Sequence, residues 1–65
     1  MKLTINGEPR DSAAPTLAAL LEAEGLGTAR VATALNGQFV AAGLRAQTAL
    51  APGDAVEIVA PMQGG

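Results

Sequence analysis

The residues best suited to chemistry stand at the end of the sequence, where Gln63, Gly64 and Gly65 follow one another. A carboxylate at Gly65 is a poor electrophile, but adenylation by ATP converts such a group into a mixed anhydride. The activating enzyme must then thread that end to its nucleotide. Gly64 and Gly65 lack Cβ, so the backbone passes a narrow channel and takes φ of either sign. The same lack of side chains leaves the last carbonyl open to attack. A persulfide displacing AMP would leave a thiocarboxylate, with its sulfur supplied from outside, because the chain has no Cys. The glycine pair is suggestive and no more. At a background frequency of about 7%, roughly one chain in 200 ends this way. An unstructured end or an appended remnant explains the pair equally well.

Other chemistry is narrowly limited. With no Cys and no His, the common nucleophile–base pairs cannot be assembled, and the usual soft-metal ligands are missing, so no metal site is expected. The carboxylates are Glu8, Asp11, Glu22, Glu24, Asp54 and Glu57. Paired-carboxylate hydrolysis needs a cleft around the substrate, which 65 residues rarely provide. The expectation is therefore no enzyme, no catalytic residue and no bound cofactor. A net charge of −2 and the lack of Trp and Tyr argue against nucleic acid. The stretch after Met1 has no apolar leader, no apolar run is long enough to span a bilayer, and the absence of Cys fits a reducing cytoplasm.

The elements that must position the chain's end can be read from its patterning. Lys2 to Asn6 alternates, with Leu3 and Ile5 on one face, as in a half-buried strand. Asn6-Gly7 is a hairpin signal. Glu8 to Asp11 returns as an edge strand, since Pro9 has no N–H to donate. Thr16 caps a helix over Leu17 to Glu24, whose Leu17, Leu20 and Leu21 share one face, and Gly25 stops it, with Leu26 folding back. Val31 to Leu35 is a further strand, and Asn36-Gly37 turns it into Gln38-Phe39-Val40. Residues 41 to 49 read as a loop or a short helical turn. Pro52-Gly53-Asp54 is a turn, and Ala55 to Val59 is the last strand. Periodicity ends there. Residues 1–60 are expected to form one α+β domain, with 61–65 as a flexible tail. Of the apolar residues, 15 are alanines, so the core rests on few large side chains and its stability margin is narrow.

Taken in order, these segments resemble the thiamine-biosynthesis sulfur carrier protein (ThiS) family, of the ubiquitin-like β-grasp fold. The resemblance is carried by Ile5-Asn6-Gly7-Glu8-Pro9-Arg10, by Thr16-Leu17 through Leu20-Leu21 to Gly25-Leu26, and by Ala34-Leu35-Asn36-Gly37-Gln38 through Val40. It continues through Leu50, Pro52-Gly53-Asp54-Ala55-Val56-Glu57-Ile58-Val59 and Gln63-Gly64-Gly65. The chain departs from the family after the middle strand, where a charged segment is usual. Here Ala41-Ala42-Gly43-Leu44 is bland and only Arg45 is charged.

The resemblance implies a mixed sheet of four to five strands with one main helix across it. The first and last strands lie side by side at its centre, and a flexible C-terminal tail follows. It also implies a cycle. A ThiF-type adenylyltransferase, using ATP and Mg, activates Gly65. A cysteine desulfurase system supplies sulfur, and the thiocarboxylate donates it to thiazole synthase. Met62, Gln63 and Gly64 would be read by the activating partner. Other readings stay open: a molybdopterin-synthase-like small subunit, a carrier for another pathway, a ubiquitin-like modifier, or an interaction module with an inert tail. A free monomer is expected, with Pro9 discouraging strand addition. Phe39 is either core or part of a partner-docking face. Asn6, Gly7, Asn36 and Gly37 read as turn formers, and Arg10, Arg30 and Arg45 as solvated.

Overall fold

In the computed structural model, which describes residues 1–60, the two Asn-Gly pairs act as the hinges of two hairpins. Asn6 and Gly7 have φ of 53° and 84°, and Asn36 and Gly37 have 50° and 85°. Positive φ at both central residues is the type I′ requirement, and this turn matches the strand twist. The first turn joins β1 (Lys2–Ile5) to β2 (Glu8–Asp11), with Ile5 opposite Glu8. The second joins β3 (Ala32–Leu35) to β4 (Gln38–Val40), with Leu35 opposite Gln38.

Between the hairpins runs α1 (Leu17–Ala23). Thr16 is extended and its Oγ1 accepts the Ala19 N–H, which satisfies one of the open donors of the first turn. At the other end Gly25 takes φ 77°. Its N–H donates to Glu22 O and that of Leu26 to Leu21 O, the paired bonds of a Schellman stop. The segment after β4 settles as a 3₁₀ helix, Ala42–Gln47. Pro52 and Gly53 then turn the chain, with Gly53 at φ 87° and Asp54 N–H bonded to Ala51 O, and β5 (Ala55–Val59) follows.

The sheet order is β2-β1-β5-β3-β4. β5 runs parallel to β1 and antiparallel to β3, so the first and last strands form the centre, as the family resemblance implied. Pro9 lies in an edge strand, where its missing N–H breaks no ladder. One sheet face carries Leu3, Ile5, Val56, Ile58, Leu35 and Val40 against Leu17 and Leu20 of α1, and this is the core. Leu17 and Leu20 are fully buried. Among the described residues every buried side-chain N or O has a hydrogen-bond partner. The tail expected at 61–65 lies outside the described residues.

Candidate functional site

β5 is the element that leads toward Gly64-Gly65, and the chain fixes it from both sides with asparagine side chains. At Asn6 the backbone of β1 turns away, and the side-chain amide takes over the ladder. Its Oδ1 accepts the Ile58 N–H at 2.8 Å and its Nδ2 donates to Ile58 O at 3.0 Å. At the start of the strand, Asn36 Oδ1 accepts the Ala55 N–H at 2.9 Å, and the Asn36 N–H donates to Ala55 O at 2.7 Å. Asn36 Nδ2 also donates to Asp54 Oδ1 at 3.1 Å. Asp54 Oδ2 accepts the Ala51 N–H at 2.8 Å. Those two bonds, the Asn36 one first, hold the Asp54 carboxyl below its ordinary value of 3.8 against a small opposing effect of desolvation.

The two turns thus have a second task that the sequence reading missed. An Asn-Gly pair signals the turn, but only the pairing of β5 with β1 on one side and β3 on the other brings each Asn side chain against a neighbouring strand. The consequence for the site is that the last strand is held on its β1 side as far as Ile58 and on its β3 side as far as Val59.

Phe39 is on the sheet face opposite α1. Its pairing with Ala34 puts both on that face, and Ala34 pairs in turn with Glu57. One row along, Ala32 pairs with Val59. Phe39 is 73% and Val59 60% exposed. The core reading of Phe39 is therefore wrong: its side chain is exposed. Phe39 alternates with Gln38 and Val40 on a three-residue strand, and the pleat turns Val40 inward to the core. The result is an apolar strip across β4, β3 and β5, interrupted by Glu57.

Two expectations of solvated arginines also need correction. Arg10 pairs with Glu24, joining β2 to the end of α1. Arg45 Nε donates to Thr33 Oγ1 at 2.9 Å, and Arg45 Nη2 donates to Val31 O at 2.6 Å. Thr33 is itself buried. A lone cation within an otherwise bland segment was the available signal, since nothing near it in sequence offered a partner.

The site residues Met62, Gln63, Gly64 and Gly65 lie outside the described residues. Among the described residues no cluster of three or more His, Cys, Asp or Glu could hold a metal ion, and no helix is long and apolar enough to cross a membrane.

Comparison with known proteins adds three findings. The ThiS family model matches residues 3–65. A solved structure of a thiamine biosynthesis protein (ThiS) from Geobacter metallireducens superimposes with a TM-score of 0.84 at 35% identity, over 100% of both chains. A thiazole synthase from Paramagnetospirillum magneticum is 46% identical over 66 residues. That match takes in 100% of this chain but only 20% of the relative's length.

Proposed function

The chain belongs to the ThiS family, and from that premise we propose that it is the sulfur carrier of thiazole formation in thiamine biosynthesis. The observation that carries this reading is the extent of the family match, which runs to residue 65 and so takes in Gly64-Gly65. The carrier is a co-substrate. A ThiF-type adenylyltransferase, holding ATP and Mg, joins a Gly65 carboxylate oxygen to the α-phosphorus and releases pyrophosphate. A persulfide from a cysteine desulfurase system attacks the acyl carbon and displaces AMP. Cleavage of the S–S bond by a thiol leaves a thiocarboxylate on Gly65. Thiazole synthase takes the sulfur. Nothing in this sequence of steps asks the chain for a general base or a metal.

The chain's own residues serve delivery. The strand-end clamp at Asn6 fixes the backbone of β5 at Ile58, seven residues before the reacting atom. The strip of Phe39, Ala34, Ala32 and Val59 offers the partners an apolar face, and Met62 and Gln63 are read on the way into the activating site. Thiazole synthase as acceptor is favoured by the relative bearing that name, in which a stretch similar to this whole chain forms part of the protein. The reaction belongs to the cytoplasm, where thiols stay reduced.

The test is intact-protein mass spectrometry after incubation with the adenylyltransferase, ATP, Mg and a sulfur source. The expected gain equals the exchange of one oxygen for sulfur, it maps to Gly65, and it vanishes on deletion of Gly65. An unchanged mass with active partners would leave a β-grasp interaction module in its place.

A further inference from the structure

The chain has four basic residues, and two of them, Arg30 and Arg45, line one groove. It lies where β5 finishes and β3 begins, and Val31, Ala32, Val59 and Ala60 contribute to its walls. Its volume of about 660 Å³ falls within the range of clefts that take a ligand. Among the described residues no carboxylate lines it. Glu22 borders a separate depression on the far side of Arg45. The described ion pairs join Met1 to Asp11 and Arg10 to Glu24, so neither groove arginine is neutralised by them.

Arg45 is set in place by its own chain. Its bonds to Thr33 Oγ1 and Val31 O use two of the five N–H donors of a guanidinium. Thr33 in turn donates to Val40 O at 2.8 Å, so the anchor is itself anchored. A planar cation held this way loses little freedom on bonding an incoming carboxylate. The walls are mostly apolar, and Ala32 and Val59 also belong to the exposed strip that carries Phe39.

We propose that this groove docks a segment of a partner protein presenting one carboxylate side chain flanked by apolar residues. The carboxylate meets Arg45 and Arg30, and the flanking residues meet Val31, Ala32 and Val59. Continuity with the apolar strip favours a protein segment over a free organic acid. Identifying that partner as the adenylyltransferase or thiazole synthase rests on the carrier reading; the groove chemistry does not.

The experiment titrates the isotopically labelled full chain with blocked acetyl-Leu-Glu-Leu-amide and with its Gln counterpart, following the arginine Nε–H and the Val31, Ala32 and Val59 amide resonances. The expected result is a saturable shift of these signals by the Glu peptide, about fivefold weaker for the Gln peptide. Arg30→Glu, a surface change, lowers the Glu-peptide affinity by about fivefold or more. Arg45→Lys does the same, with melting temperature checked alongside. Equal response to both peptides, or no saturable response, overturns the proposal, and so does a groove already filled by the chain's own end. The thiocarboxylate assay reads only Gly65, so either idea can fail while the other stands.

Discussion

At Asp54 a single side chain links the stability of this fold to acid pH. Its carboxylate accepts from Asn36 Nδ2 and from the Ala51 N–H, and both bonds favour the ionised form. Its folded pKa is therefore lowered relative to the unfolded chain. For a group shifted in this direction, stability is present above the unfolded value and is lost as pH falls through the folded one. Unfolding followed by circular dichroism is expected to show a level stability from neutral pH down to about the ordinary carboxyl value of 3.8, then a decline. Asp54→Asn keeps an acceptor at only one of the two bonds and cannot titrate, so it should be less stable at neutral pH and its acid limb flatter. Identical acid limbs in the two proteins would count against this role. Asp54 is only half-buried and its two bonds are open to solvent, so the effect belongs at the modest end of such couplings.

At the scale of elements, the question is what holds β5 until the chain leaves the sheet. Substituting Asn6 by glycine separates the two tasks of that residue. Glycine keeps φ near 53° without strain, so the turn survives, while both bonds to Ile58 disappear. The expected loss is about 1 kcal/mol, at the low end for two solvent-exposed hydrogen bonds. Amide exchange should speed up at Ile58 while Val56 stays protected. Unchanged exchange at Ile58 would show that β5 does not depend on the clamp.

The same elements mark how far the sequence could be read. Strand alternation, the Asn-Gly pairs, Thr16 and Gly25 are local signals, and the elements formed within a residue or so of where those signals put them. The helix ends at Ala23 with Glu24 as its cap, and β3 starts at Ala32 rather than Val31. Three features were not legible, because each depends on which strands become neighbours. They are the ladder role of Asn6, the burial of Thr33 under Arg45, and the exposure of Phe39. The 41–49 segment was ambiguous for a related reason. Its alanines favour a helix while Gly43 opposes one, and the contact between Arg45 and β3 is made across the fold.

For the molecule as a whole, the domain and the reacting end divide the work of a carrier, and the two contributions respond to different kinetic parameters. In the proposed carrier cycle the exposed strip would touch a partner in the ground state and the transition state alike, and so contribute uniform binding. In that cycle Gly65 alone would take part in bond making. Phe39→Asp places a charge at the β4 end of the strip, at a residue that packs nothing in the core, so the fold should survive with the melting temperature lowered by only about 5 °C for the poor strand propensity of Asp. In adenylation assays, with the carrier as the varied substrate, KM is expected to rise about tenfold, as loss of an aromatic docking contact would give. The value of kcat should hold. Deletion of Gly65 should do the reverse, leaving partner binding close to the parent while turnover disappears. If Phe39→Asp lowers kcat and leaves KM unchanged, the strip acts in the chemical step and the division fails. If neither parameter moves, the face turned away from α1 has another use, and the partner must grip the carrier through the groove at the end of β5 or through residues 61–65 alone.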